Sequence, residues 1–171
     1  MTRSNDVERA AWTVRRARED DAAAIIAVAA AAWRDTYRGL LRRETIEGFV
    51  ERAYSPERVA IRIRESHVYV AVGAAGIVAF ADAVERDDRV ELQAIYALPA
   101  VRGQGAGSAL LETLIGLFPD RDISADVLQG NRKGEVFYER RGFVPRERLE
   151  ATLLAEAVVE RRWWRIAMRS G

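Results

Sequence analysis

The chain has 171 residues, a length typical of one domain, and 49% of them are hydrophobic while 31% are charged. This composition supports a folded core and excludes an intrinsically disordered chain. The 27 basic and 26 acidic residues leave a net charge of +1, which gives no support to binding of nucleic acid or a membrane surface. The chain has no cysteine and one histidine, His67, so disulfides and thiolate chemistry are excluded and no metal site is expected.

The N-terminal segment gives no sign of a targeting signal. Residues 1–11 are polar, lack the apolar stretch of a secretory signal, and are expected to be a disordered tail. The longest uncharged apolar run, residues 22–33, is too short to span a bilayer. We therefore expect a cytoplasmic protein without a membrane partner, with a single domain over residues 12–171.

Hydrophobic periodicity and turn residues predict a mixed chain of helices and strands. The first half is predicted to contain a strand at 12–16, helices at 21–33, 43–50 and 56–66, and a meander of three antiparallel strands at 67–72, 77–84 and 89–96. The second half is predicted to contain a helix at 108–118, a strand at 123–128, a helix at 131–142 and two paired strands at 143–150 and 160–168. The predicted class is α/β (mixed α+β), a central mixed sheet with an antiparallel half and a β-α-β half, flanked by helices.

The glycine-rich turn at residues 102–108, with the sequence RGQGAGS, is the most informative segment. A strand leads into it and a helix follows, so bare backbone N–H groups and the positive end of the helix dipole favour a phosphate or pyrophosphate ligand. A P-loop is excluded because the turn has no lysine. A dinucleotide-binding turn is disfavoured because Ser108 stands where its third glycine belongs. Asp126 lies at a suitable distance downstream for a ribose contact, which leaves a nucleotide-dependent enzyme as an alternative.

A second motif lies beyond the next helix and strand, where residues 131–143 have the sequence NRKGEVFYERRGF. It resembles the N-x6-Y-E-x-x-G-F segment of the GNAT superfamily of acyl-CoA-dependent N-acyltransferases. The turn at 102–107 resembles the pyrophosphate loop of the same family, R/Q-x-x-G-x-G/A. The order and spacing of the two motifs agree with the family, and the predicted elements from Trp12 to Met168 follow its element order. Residues 33–39, WRDTYRG, also resemble a W-R-x-T-Y-R-G sequence of one group of small bacterial members.

The resemblance implies a GNAT-like fold and direct transfer of an acetyl group from acetyl-CoA to a primary amine of a small molecule, peptide or protein. It assigns cofactor binding to a strand end, the glycine turn and one asparagine, namely Ile95, Tyr96, Ala97, Arg102, Gly103, Gln104, Gly105, Ala106, Gly107, Ser108 and Asn131. Arg132 and Lys133 are further candidates for phosphate contacts. The alternative is a non-catalytic acyl-CoA-binding or sensing domain, which would need neither a general acid nor a base.

The implied reaction removes a proton from the amine and returns one to the departing thiolate. Tyr138 matches the general acid of the family, and a phenol with a pKa of ~10 lies close enough to a thiol with a pKa of ~8.5 for this role. Glu91 is the first candidate base, because it opens the strand that leads to the glycine turn. Asp126 is the second, because a carboxylate within an apolar strand is unusual. Trp33 and Tyr37 lie four residues apart on one helix face, where they either pack in the core or contact the acceptor.

The remaining aromatic and histidine residues carry weaker expectations. Trp163 and Trp164 are neighbours on a predicted strand and must point to opposite faces. One of them is expected in the core, and the other in the acceptor pocket or in a dimer contact, so a homodimer is left open. His67 is expected to be structural. The sequence does not identify the amine acceptor.

Overall fold

The computed structural model describes residues 12–169, so the predicted disorder of residues 1–11 lies outside the described part. Its strands are β1 (Thr13–Arg16), β2 (His67–Gly73), β3 (Gly76–Glu85), β4 (Val90–Ala97), β5 (Ile123–Leu128), β6 (Val144–Leu153) and β7 (Glu156–Arg165). Its helices are α1 (Ala22–Thr36), α2 (Arg43–Ala53), α3 (Pro56–Glu65), α4 (Ala106–Leu117) and α5 (Arg132–Glu139). The described helices include none that is both long and apolar enough to cross a membrane.

The strands form one sheet in the order β1-β2-β3-β4-β5-β7-β6. Neighbouring strands are antiparallel except β4 and β5, which run parallel and are connected through α4. The predicted mixed sheet, with an antiparallel half and a β-α-β half, is confirmed. The final two strands pair with each other as expected, and β7 also pairs with β5, which places the C-terminal hairpin at one side of the sheet.

Both faces of the sheet are covered by helices. Helices α1, α2 and α3 pack on one face around Ile25, Val28 and Phe80, all of them buried. Helices α4 and α5 cover the opposite face, where Leu110 and Leu114 lie in the core. The alanine-rich sequence of α1 lets this helix approach the sheet closely, since small side chains leave the backbones as the main surface of contact.

The residue before α1 is an aspartate, a type that commonly caps helices, but here it has another role. Asp21 precedes the helix, but its side chain makes no capping hydrogen bond to it. Its carboxylate instead accepts two hydrogen bonds from the Arg15 guanidinium, at 2.7 and 2.9 Å, and one from the Arg18 backbone N–H at 2.7 Å. These bonds lower the pKa of Asp21, with the Arg15 contact as the largest cause. The aspartate therefore ties α1 to β1.

An irregularity in β4 opens the middle of the sheet. Ala83 faces Leu92 while Asp82 faces Ala94, so Gln93 is the extra residue of a β-bulge. Pairing of β4 with β5 covers only three residue pairs and ends at Leu92 and Ala125, although β4 continues to Ala97 and β5 to Leu128. The two parallel strands part beyond that point. The backbone edge of residues 93–97 that faces β5 is therefore left without a strand partner among the described residues.

Candidate active site

A cavity of about 870 Å³ lies where β4 and β5 part. It is within the size range of small-molecule and cofactor pockets. One wall is the free edge of β4, which includes the predicted residues Ile95, Tyr96 and Ala97, and the others come from the glycine turn, α4 and α5. The sequence-predicted cofactor residues are therefore brought together, with one exception described below.

The glycine turn presents the start of α4 to this cavity. Gly103 and Gly105 have φ angles of +77° and +94°, a left-handed conformation that favours glycine. The first hydrogen bond of α4 runs from the Ala109 N–H to the Gly105 carbonyl. The N–H groups of residues 106–108 therefore have no partner within the helix, and they lie at its positive end. Ala106, Gly107 and Ser108 line the cavity, so the turn can hold an anion there.

Gln104 is the exception among the predicted cofactor residues, because it does not line the cavity. Its side-chain amide donates to the Ala100 carbonyl at 3.3 Å, and its own carbonyl accepts a hydrogen bond from the Trp12 indole at 2.9 Å. The reason is local geometry: the turn points Gln104 away from the parted strands. Its contacts anchor the turn to the N-terminal strand.

Arg102 lines the cavity but is already engaged with the end of α1. Its guanidinium donates to the Asp35 carboxylate and to the Thr36 hydroxyl, the latter at 3.0 Å. The ammonium of Lys133 lies 3.8 Å from the same Asp35 carboxylate. A phosphate contact by either cation stays a prediction. The structure adds that Asp35, the variable residue of the W-R-x-T-Y-R-G sequence, holds both cations at the cavity mouth.

Asn131 and Tyr138 lie on the helix that closes the cavity. The Asn131 carboxamide oxygen accepts a hydrogen bond from the Gly134 backbone N–H at 3.1 Å, so this residue caps α5. Asn131 also lines the cavity, so capping and cofactor contact are compatible. Tyr138 is buried but borders the same space. Burial raises the pKa of its phenol above the usual value, which keeps the hydroxyl protonated across the physiological range.

A second, smaller cavity of about 300 Å³ lies on the face covered by α1, α2 and α3. Five residues line both cavities, namely Tyr37, Leu92, Gln93, Tyr96 and Asp126. The two spaces therefore adjoin each other where the sheet opens. The hydroxyls of Tyr37 and Tyr96 are 3.2 Å apart at this junction.

Aromatic side chains form one wall of the second cavity. The Trp33 and Phe49 rings are stacked, with centroids 4.1 Å apart, and Trp33 also contacts Tyr37 at 4.4 Å. Trp33 and Tyr37 are both buried and both line the cavity, so their packing in the core is observed and their contact with an acceptor stays a prediction. The indole N–H of Trp33 is buried without a hydrogen-bond partner among the described residues.

The two predicted base candidates face the second cavity as ion pairs with arginine. Asp126 accepts two hydrogen bonds from the Arg162 guanidinium, at 2.7 and 2.9 Å. Glu91 accepts one from Arg86 at 2.8 Å and lies 3.7 Å from Arg89. The Arg86 hydrogen bond lowers the pKa of Glu91, which makes this carboxylate a weaker base than an isolated glutamate. The assignment of the base stays a prediction.

Two cavity residues were not predicted from the sequence. Glu160 on β7 and Arg62 on α3 both line the second cavity. Arg62 lies 3.7 Å from the buried Asp82 carboxylate and 4.8 Å above the Tyr54 ring. Alternation along β7 could have placed Glu160 on the same face as Arg162, but no motif distinguishes it from the neighbouring charged residues. Its proximity to the parted strands comes from the pairing of β7 with β5, which the sequence does not reveal.

The other candidates lie outside both cavities. The His67 imidazole contacts Glu85 at 3.0 Å and the edge of the Phe118 ring, as expected of a structural residue. Trp163 is buried in the core on the α4 face, whereas the Trp164 indole donates to Glu147 at 2.7 Å. Neither tryptophan lines an acceptor cavity. Within residues 12–169, no group of three or more metal-binding side chains occurs.

Residues 64–145 match the acetyltransferase (GNAT) domain family. Comparison of the sequence with curated proteins finds no match. Among solved structures, the PaiA N-acetyltransferase of Thermoplasma acidophilum in complex with coenzyme A is similar over 88% of this chain and 98% of its own, with a TM-score of 0.75 and 22% identity. A GCN5-related N-acetyltransferase from Rhodopseudomonas palustris matches over 92% of this chain and 96% of its own, with a TM-score of 0.77 and 20% identity. Ard1 from Thermoplasma volcanium matches over 93% of this chain and 99% of its own, with a TM-score of 0.72 and 19% identity.

The structural similarities show a shared fold at low sequence identity. The matched segment 64–145 contains the whole of both motifs, at 102–108 and 131–143, and it includes Glu91 and Tyr138. The chain has the GNAT fold, and the match of residues 64–145 to the acetyltransferase (GNAT) domain family confirms the resemblance expected from the sequence.

Proposed function

We propose that this protein is an N-acetyltransferase that moves an acetyl group from acetyl-CoA directly to a primary amine of a small molecule or peptide. The observation that carries the proposal is the junction of two cavities at the parted strands. The larger cavity has an anion-binding turn and a free strand edge, and the smaller one has carboxylates and aromatic rings. A cofactor in the first and an amine in the second would meet beside Tyr96.

The larger cavity fits the chemistry of coenzyme A. The N–H groups at the start of α4 would hold the pyrophosphate. The free backbone edge of residues 95–97 would pair with the amide-bearing pantetheine arm in the manner of an added strand. The similar structure from Thermoplasma acidophilum is a complex with coenzyme A, which supports this choice of cofactor. The donor supplies an activated acyl group, and a direct transfer needs no nucleophile from the protein.

Tyr138 is the proposed general acid. Its hydroxyl borders the larger cavity, and burial raises its pKa, so it remains a hydrogen-bond donor at working pH. The same burial makes it a weaker acid, so its main contribution is a hydrogen bond to the sulfur as negative charge develops there. Such assistance to a leaving group typically contributes ~10²–10⁴-fold in rate.

The acceptor side attracts a cation. A primary amine with a lysine-like pKa of ~10.4 is mostly protonated at neutral pH. Glu91 and Asp126 face the smaller cavity and are proposed to hold this ammonium group, with the aromatic wall of Trp33 and Tyr37 contacting the carbon skeleton. The volume of about 300 Å³ suits a small acceptor or the side chain of a larger one.

The test combines binding with turnover. Acetyl-CoA should raise the melting temperature more than NAD or ATP does, because only a ligand that binds the folded state stabilises it. A library of primary amines with acetyl-CoA should then yield free thiol and an acetylated product for some members. Stabilisation by acetyl-CoA without transfer to any amine would favour the sensing domain, and stabilisation by NAD or ATP alone would favour a nucleotide-dependent enzyme.

A further inference from the structure

The smaller cavity contains three carboxylates, and they differ in how their charge is balanced. Asp126 is engaged by both nitrogens of the Arg162 guanidinium, and Glu91 is hydrogen-bonded to Arg86 with Arg89 nearby. Guanidinium hydrogen bonds occupy oxygens of both carboxylates, and the Arg86 hydrogen bond lowers the pKa of Glu91. The two residues can still contact a cation, but their oxygens are less available for its proton than those of a carboxylate without an arginine partner.

Glu160 lies in a different environment. It stands on β7 between Leu128 of β5 and Leu149 of β6, and it is half-buried. It makes no ion pair with any residue in the described range 12–169. Burial, followed by the negative charge of Asp126, raises its pKa. Glu160 thus combines access to the cavity with an increased affinity for a proton.

The position of Glu160 relative to the proposed acid also fits. Glu160 lines the smaller cavity and Tyr138 lines the larger one, while Tyr37 lines both. The carboxylate and the phenol therefore flank the junction where the thioester is proposed to lie.

On the basis of the proposed function, we propose that Glu160 is the general base of the acetyl transfer. An N–H bond of the acceptor breaks and its proton passes to a Glu160 carboxylate oxygen, directly or through one water. The C–N bond forms and the C–S bond breaks. The second proton lost by the ammonium nitrogen passes to the departing sulfur, which accepts a hydrogen bond from the Tyr138 hydroxyl. In this scheme Glu91 and Asp126 hold the charged amine of the acceptor, and Glu160 accepts its proton.

Several charged or titratable groups surround Glu160 and contribute to its pH dependence. They come from every neighbouring element of the cavity, namely Tyr37 at the end of α1, Arg62 on α3, Glu91 and Tyr96 on β4, Asp126 on β5, Glu147 on β6 and Arg162 on β7. The negative charge of Asp126 favours the protonated form of Glu160, and Arg162, which is paired with Asp126, opposes it.

The experiment compares Glu160→Gln with the matched variant Glu150→Gln across pH. Glu150 is an exposed carboxylate of the same hairpin that pairs with Arg148 and lies outside the cavity. With an acceptor identified by the amine library, Glu160→Gln should lower kcat/KM at neutral pH by ~10²–10⁴-fold. The acidic limb set by Glu160 should disappear, and the remaining rate should rise with pH toward the pKa of the amine itself. Glu150→Gln should match the wild type throughout.

Two further measurements separate catalysis from folding and from binding. The Kd for acetyl-CoA should be the same in Glu160→Gln and wild type, which shows that the fold is retained. Glu160→Ala should lose activity and partly regain it when formate is added, since a small carboxylate can enter the vacated space. An unchanged pH profile in Glu160→Gln, or a loss confined to acceptor KM, would overturn the assignment of Glu160. Failure of the wild type to bind acetyl-CoA or to acetylate any amine would instead overturn the proposed function itself.

Discussion

Asp82 on β3 is the most deeply buried carboxylate in the described part of the chain, and its ionisation should oppose folding. Only 1% of its surface is exposed, and neither carboxylate oxygen has a hydrogen-bond partner among the described residues. The nearest cation is Arg62 at 3.7 Å. Burial raises the pKa of Asp82 from 3.8 to about 6, and Arg62 offsets the effect only in part. The folded chain therefore holds this proton more tightly than the unfolded chain.

The sign of the pH dependence follows from that difference in pKa. The contribution of Asp82 to stability is fully present below about pH 4 and is lost as the pH rises through about 6. At about 1.36 kcal/mol per pKa unit, the loss at neutral pH is about 3 kcal/mol, and about 2 kcal/mol of it develops between pH 4.5 and pH 7.0. The variant Asp82→Asn has no such titration. Its free energy of unfolding relative to wild type should increase by about 2 kcal/mol over the same interval.

Urea unfolding of wild type and Asp82→Asn at pH 4.5, 5.5 and 7.0 measures this change. The control is Asp87→Asn, at an exposed aspartate in the turn between β3 and β4, which should keep a constant difference from wild type across the three pH values. Parallel pH dependence of wild type and Asp82→Asn would refute the reasoning, because it would mean that the folded and unfolded chains bind the Asp82 proton equally well.

The remaining predictions concern the proposed reaction. Tyr138→Phe should keep the fold and the Kd for acetyl-CoA while lowering kcat by ~10²-fold or more, and wild-type turnover under chemistry-limited conditions would contradict its role as acid. Gly105→Glu should weaken acetyl-CoA binding, measured by calorimetry, because a side chain at φ +94° is strained and would stand over the pyrophosphate site. Gly116→Ala on the exposed side of the same helix should leave binding unchanged and raise the free energy of unfolding by about 0.5–1 kcal/mol. Asp126→Asn should raise the acceptor KM more than it lowers kcat. Glu91→Gln should lower kcat/KM less than Asp126→Asn does. Abolished turnover in Glu91→Gln would instead indicate that Glu91 is the base.

Local sequence patterns predicted most of the fold because the elements carry their own signals. β-Branched and aromatic residues indicated the first strand of the meander. The helix predicted at 56–66 begins at Pro56 as observed, and the Ser55 hydroxyl accepts the Arg58 N–H there at 3.3 Å. The ends were less accurate, since α2 runs to Ala53 rather than residue 50. Helix ends depend on capping contacts with distant residues, which periodicity along one segment does not contain.

The site was only partly predictable, for the same reason. The glycine turn and Tyr138 belong to continuous motifs, so their residues were identified from the sequence. The ion pair of Asp126 with Arg162 joins residues 36 positions apart, and it exists because β5 and β7 are neighbours in the sheet. Glu160 enters the cavity through the same strand pairing. Long-range pairing is set by the packing of the whole sheet, so no single segment could indicate which carboxylate would remain without an arginine.

The bulge at Gln93 connects these observations. One extra residue bends β4 away from β5, so three residue pairs hold the strands together and the rest of each strand parts. An unpaired strand edge in a protein interior is unfavourable unless another group supplies its hydrogen bonds. The amide-bearing arm of acetyl-CoA would supply them, and its position between the strands would place the thioester between Tyr138 and Glu160. The same irregularity that interrupts the sheet thus creates the space in which a base on one face and an acid on the other would reach the nitrogen and the sulfur on either side of the acyl carbon.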